Sequence, residues 1–252
     1  VVCNLKTCQF VTFLKKNRQI ANQSNIKKMK SNQKTGRIAG VLLLFVFISG
    51  IIIFQFLQGS VLFSENFITS TSENSNKIIS STLLGIINGI VSIIIATILL
   101  PTFKRHSSFL AYLYFAFCIL NFIALMIDNV SVVSILELSN EYVKSGNDSS
   151  IKILETLVYQ RHRWTHYFYL LISCFPVFIL YYTLYISKLV PKILSIFGIF
   201  AVILMFTEEL LSIFGHGISM DMLLPMALIQ LTLPLWLIFK GLNSPLLEKE
   251  NG

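Results

Sequence analysis

The apolar positions of this chain fall into six runs separated by polar joins, and each run is long enough to cross a bilayer. A membrane-spanning helix needs about 20 apolar residues at ~1.5 Å rise each. The runs cover residues 38–57, 78–100, 107–127, 164–187, 190–214 and 220–239. The fold class expected is therefore all-α: a polytopic membrane protein of six transmembrane helices. The stretch ILYYTLYISKLVPKILSIFGIF, residues 179–200, anchors this reading, because its two apolar runs are joined only by Ser-Lys-Leu-Val-Pro-Lys. So short a join forces two antiparallel helices, and Lys188 and Lys192 flanking Pro191 place it in basic, cytoplasmic surroundings.

One connection is long, residues 128–163. Apolar periodicity continues through 130–142, which predicts that the third span protrudes beyond the membrane. Ser145-Gly-Asn-Asp-Ser-Ser reads as a turn, and residues 151–159 as a short amphipathic helix running into the fourth span. This loop is too small for a catalytic domain of its own. Residues 29–243 are expected to form a single domain, 1–28 a disordered or non-native tail, and 244–252 a polar C-terminal tail. Pro176, Pro225 and Pro234 are expected to kink the helices that carry them.

Composition agrees with the pattern. Of the 252 residues, 54% are hydrophobic and 13% charged, and the mean hydropathy is +0.72. That leaves too little polar surface for a water-facing globule. The net charge of +8 would on a soluble chain suggest nucleic acid, but its location says otherwise. Nine of the 20 Lys and Arg precede residue 38, and Lys104, Arg105, Lys188, Lys192, Lys240 and Lys249 fall at the same side of the six-span topology. The acids from Glu65 to Asp221 fall on the other side. The Lys and Arg bias puts both termini in the cytoplasm, and the partner implied is a lipid bilayer rather than nucleic acid. Cys3, Cys8, Cys118 and Cys174 form no CxxC pair, so they read as free thiols with no zinc or redox motif.

Three stretches resemble one known family, the bacterial integral membrane proteins defined by domain of unknown function 4386. They are KTGRIAGVLLLFVFISG (34–50), LYISKLVPKILSIFG (184–198) and LPMALIQLTLPLWLIFKGLN (224–243). The resemblance implies a multi-pass protein of the bacterial cytoplasmic membrane. It implies no activity and transfers no functional residues.

Candidate chemistry is sparse. Counting helical rise places Asp128 about 31 Å and Glu208 about 25 Å from the inner face, with His166, His216 and Asp221 near the same level. The plain reading is solvated outer headgroup charge. The functional reading is a ligand or proton site built from Glu208, His166, His216 and Asp128, since acids within hydrocarbon are costly. Glu208 is the deepest of the carboxylates, and Glu209 lies about 100° away on its helix. His162 and His166 share a helix face at the spacing two metal ligands need. Without an HExxH glutamate, however, Trp164 and the neighbouring arginines read better as an interfacial belt, so no metal and no cofactor are assigned.

Deeper in the membrane, Asn88 and Asn121 come out at one level and are placed to meet across the second and third spans. Ser81, Gly85 and Gly89 form a small-xxx-small stripe for close packing, or for a homo-oligomer contact. No phosphate loop, GxSxG elbow or Cys-His pairing is present. The function expected is non-enzymatic packing, sensing or lipophilic-ligand binding, with the small-molecule ligand unknown. The alternatives are a small-solute or ion transporter, whose route would have to use Asn88, Asn121, Gln55 and Gln230, and an intramembrane metal-dependent hydrolase, which would have to gather His166, Glu208, Glu209 and His216.

Overall fold

The computed structural model describes residues 29–64, 66–146, 149–216 and 220–243, and the regular structure among them is helical. The helices are α1 (Met29–Leu62), the short α2 (Phe67–Glu73), α3 (Ser75–Lys104), α4 (Ser108–Lys144), α5 (Ser149–Ser187), α6 (Lys192–Ile213) and α7 (Leu224–Lys240). All but α2 are long and apolar enough to cross a membrane, giving six candidate spans. Both tails, 1–28 and 244–252, lie outside the described residues, as do Asn147 and Asp148 of the anticipated turn.

Local chemistry sets the ends. Ser107 starts α4 in extended backbone, its side chain accepting a bond from the Leu110 N–H, which satisfies one of the orphan donors of a helix start. At the α5–α6 join Lys188 takes a left-handed φ of 53° and Pro191 opens α6 with φ −54° and ψ 134°. Pro176 and Pro234 sit inside α5 and α7. Pro225, expected to kink the last span, stands instead in the first turn of α7 after a 3-10 turn at Met220–Leu223. There it costs no hydrogen bond, because first-turn N–H groups lack helical partners anyway.

The spans form a ring in chain order, and small residues bring neighbouring backbones together. The Ser81-Gly85-Gly89 stripe of α3 is occupied from within the chain. Gly85 lies against the Asn129 side chain of α4, and a β-carbon on Gly89 would meet Phe122 and Leu125. Gly40 closes the ring, since a β-carbon there would lie 2.8 Å from Leu237 Cβ and Pro234 O of α7. Lipid tails are as apolar as leucine, so such close packing carries the association that hydrophobicity supplies in water. The main core runs from the end that carries the α5–α6 join to the middle of the bundle, with Leu99 and Phe103 of α3, Ala111 and Tyr114 of α4, Tyr181 and Leu184 of α5, and Leu233 and Leu237 of α7.

The two ends differ. At one, Arg105 donates to Asn32 at 3.1 Å and the Asn243 N–H donates to Leu189 O at 2.8 Å. The start of α1, the α3–α4 join, the α5–α6 join and the end of α7 therefore meet there, among Lys30, Lys34, Arg37, Lys104, Lys188, Lys192 and Lys240. At the other end α4 and α5 continue as a long hairpin. A second cluster forms on it from Val61, Leu62, Ile78, Val132, Ile135 and Leu136, with Phe67 of α2 and Val158 of α5 packed against it. Past Asp128, α4 continues as one helix for about 24 Å to Lys144, through the stretch 130–142 where the apolar periodicity continues. The amphipathic piece expected at 151–159 is continuous with the fourth span.

The sequence carried no signal for the π-helical stretch within α1, Ile52–Gln58, after which the Gly59 N–H bonds back to Phe54 O. The wider winding ends where Gln58 Nε2 donates to Ser81 Oγ of α3 at 3.0 Å.

Candidate polar site between α4 and α5

Where α4 and α5 leave the main core, each turns polar residues toward the other at helical spacing: Asp128 and Ser131 from α4, and His162, Thr165 and His166 from α5. Asp128, which the rise count alone left at solvated headgroup level, is 5% exposed. The α5 helix covers it. His166 Nδ1 lies 3.0 Å from Asp128 Oδ2 and His162 Nδ1 3.2 Å from Oδ1, while the Thr165 hydroxyl donates to Oδ1 at 2.9 Å.

Ser131 completes the group. Its Oγ stands 2.7 Å from Thr165 Oγ1, 3.1 Å from His162 Nδ1 and 2.7 Å from its own helix's Asp128 O. At the carboxylate itself Thr165 donates its hydroxyl proton to Oδ1 and each histidine donates its Nδ1–H, while Ser131 donates to the Asp128 backbone oxygen. Asp128 then accepts from three groups on α5, which is what a buried carboxylate requires. Next to it Asn129, 4% exposed, donates to Thr82 O of α3 at 3.4 Å. Three helices are thus held at one level.

The surroundings on α5 are amphipathic. Trp164 is exposed with Phe168 at 5.9 Å, and Arg163 lies 5.5 Å over the Tyr167 ring. Aromatic and arginine side chains of this kind collect at headgroup depth.

The family model for Domain of unknown function (DUF4386) matches residues 38–241. The chain belongs to that family. No curated protein and no solved structure gives a match.

In this member of the DUF4386 family the other residues singled out in the sequence do not join the cluster. Glu208, on α6, accepts from Ser212 at 3.2 Å through Oε1, and its Oε2 is buried without a partner. It is Glu209 that turns fully inward, at 3% exposure. His216 and Asp221 are exposed beyond the end of α6. The gathering of His166, Glu208, Glu209 and His216 that a hydrolase would need is therefore not what these helices bring together. Among the described residues no three His, Cys, Asp or Glu side chains are grouped to hold a metal ion.

The mid-membrane polar residues also take separate partners. Asn88 Oδ1 accepts from Ser49 Oγ of α1 at 2.5 Å and its Nδ2 donates to Val46 O at 3.4 Å, while Asn121 Oδ1 is buried without a hydrogen-bond partner. The expected Asn88–Asn121 pairing is replaced because Gly85 and Gly89 occupy the α4-facing side of α3, turning Asn88 toward α1. Gln55 is exposed on α1 and Gln230 half-buried on α7.

Ser131, Thr165 and Asn129 went unnoticed in the sequence. The signal that would have found them is paired spacing: Asp-x-x-Ser on α4 answered by His-x-x-Thr-His on α5.

Proposed function

We propose that this protein is a non-enzymatic membrane sensor. It receives a ligand at the outer end of its bundle, where the α4–α5 hairpin leaves the membrane, and the polar cluster passes the event to the spans. One observation carries this reading: a carboxylate buried at the boundary between two cores, accepting all its hydrogen bonds from the neighbouring helix. Such a group holds the hairpin in one register, and anything that perturbs it changes how the outer and inner halves are coupled. The Lys and Arg distribution supports an orientation with both termini cytoplasmic, and the family resemblance supports the plasma membrane of a bacterium.

The test is amide hydrogen exchange of the protein in lipid nanodiscs, comparing wild type with Asp128→Asn. Exchange should accelerate together over 132–144 and 154–160 while 110–120 and 170–185 stay protected. Unchanged exchange in the hairpin would end the coupling reading.

Glu209 favours a second reading, ion-coupled transport, because a carboxyl 3% exposed within a span is the feature proton carriers share. Proteoliposomes carrying wild type and Glu209→Gln, loaded with a pH-sensitive dye, decide it. Proton flux present in the first and absent in the second would replace sensing by transport.

A further inference from the structure

Asp128 is 5% exposed, and two of its three donors from α5 are histidines. Histidine is the side chain whose ordinary titration falls between about pH 5 and 8. Both rings turn Nδ1 to the carboxylate, His162 at 3.2 Å and His166 at 3.0 Å. A neutral imidazole has one N–H and one lone pair, so the lone pair of each ring is on Nε2, away from Asp128. A proton taken up there breaks no bond to the carboxylate and makes the Nδ1–H contact charge-assisted. The two side chains are 13% and 28% exposed, so protons from water at headgroup depth reach them.

Charge counting ranks the states of the cluster. With both rings neutral it holds a buried anion without a counter-charge, which is costly. With one ring protonated it is neutral. With both protonated, two cations whose ring centroids are 5.7 Å apart share one anion. The other titratable groups leave this count unchanged. Tyr169, its ring centroid 6.2 Å from that of His166, belongs to a type that is ordinarily neutral below about pH 9. Arg161 and Arg163 of α5, Glu137 of α4, Lys77 of α3 and Glu73 of α2 are exposed. The α3 contact at this level is the uncharged Thr82 O. On α6, Glu208 bonds to Ser212, and the ion pairs of both cluster histidines are with Asp128.

We infer that Asp128, His162 and His166 form a proton-binding switch, which holds the α4–α5 hairpin most firmly with one added proton and loosens it when a second arrives or the first departs. The inference rests on the reading of this cluster as the sensing site and names its ligand, the proton. In an opened hairpin each histidine titrates independently near about pH 6.5. Closing therefore draws a proton in above that value and expels one below it. Stability of the closed hairpin rises as pH falls toward about 6.5 and declines again on further acidification.

The experiment follows amide hydrogen exchange of the full chain in nanodiscs across the histidine range, about pH 5 to 8, corrected for the intrinsic pH dependence of amide exchange. Protection over 132–144 and 154–160 should peak in wild type near pH 6.5 and fall about three- to tenfold on either side, one linked proton being worth at most about tenfold per pH unit. H162Q or H166Q leaves one histidine for one carboxylate, so protection should rise toward acid and level off. D128N leaves no anion, so protection should fall continuously toward acid. H216Q should keep the wild-type peak. Should a histidine variant fail to fold, nitrogen-15 NMR of labelled histidine replaces it, with H106Q/H216Q removing the signals of the other two of the four histidines. The cluster pair should then hold a single proton between them across about two pH units.

A flat wild-type profile, a wild-type peak that persists in H162Q, H166Q or D128N, or two cluster histidines that gain their protons together overturns the proton switch. The D128N comparison under the sensor reading is made at a single pH. Faster exchange there beside a flat wild-type pH profile removes the proton as ligand and leaves the coupling reading standing.

Discussion

Asp128 and Asn129, adjacent on α4 and both buried, tie that helix to two different neighbours. Asp128 faces α5 through Thr165 and His166, and Asn129 faces α3 through Thr82 O. Successive helical residues point about 100° apart, so one dipeptide serves two contacts. It does so at the level where the main core gives way to the second cluster.

The contact between α3 and α4 depends on the absence of a side chain at Gly89, where a β-carbon would approach Phe122 Cδ2 and Cε2. Gly89→Leu should destabilise the protein by at least ~1 to 3 kcal/mol, the usual cost of overpacking. Gly50→Leu is the matched control, because nothing lies within 4 Å of a β-carbon built there. Thermal unfolding in detergent should show a marked loss for the first and none for the second. Equal melting temperatures would mean that α3 and α4 are not held at this distance.

The inward carboxyl of α6 is Glu209, where the rise count had favoured Glu208. Burial disfavours a charged carboxylate, and a second carboxyl beside it adds to the penalty. Glu209→Gln, nearly the same shape, removes both costs and should raise the melting temperature more than Glu208→Gln does. A lower melting temperature for Glu209→Gln would reveal a partner that holds this group ionised.

Lys188 turns the chain between α5 and α6 with a left-handed φ of 53°, a region that costs most residues about 1 to 2 kcal/mol. A β-branched side chain fits there worst. Lys188→Val should lower stability by more than ~1 kcal/mol, while Lys188→Gly, free of that strain, should lose nothing. Chemical denaturation of the two variants, read by circular dichroism, separates this account from one in which the Lys188 charge matters, since both remove the charge.

The architecture was legible because each span leaves an apolar run and each basic join leaves lysines, as at Lys188 and Lys192. Depth was legible too. Counting ~1.5 Å per residue put Asp128 and His166 near one level, and they do meet. Rotation about the helix axis was not legible. A phase error of one residue exchanges Glu208 for Glu209 and turns Asn88 from α4 to α1, and the π-helical winding at Ile52–Gln58 adds such an error with no compositional sign. Burial was hidden for a related reason: Asp128 is shielded by α5, and a level says nothing about which helix stands in front of a side chain.

The account turns on a direct link between Asp128 and His166, 3.0 Å apart across two helices, and a double-mutant cycle measures it without reference to any ligand. Asp128→Asn, His166→Gln and the double variant are unfolded in nanodiscs alongside wild type. The predicted result is non-additivity beyond ~0.5 kcal/mol, as residues in one hydrogen-bonded network show. Additivity within ~0.3 kcal/mol would contradict the link, and with it the coupling role of the cluster between α4 and α5.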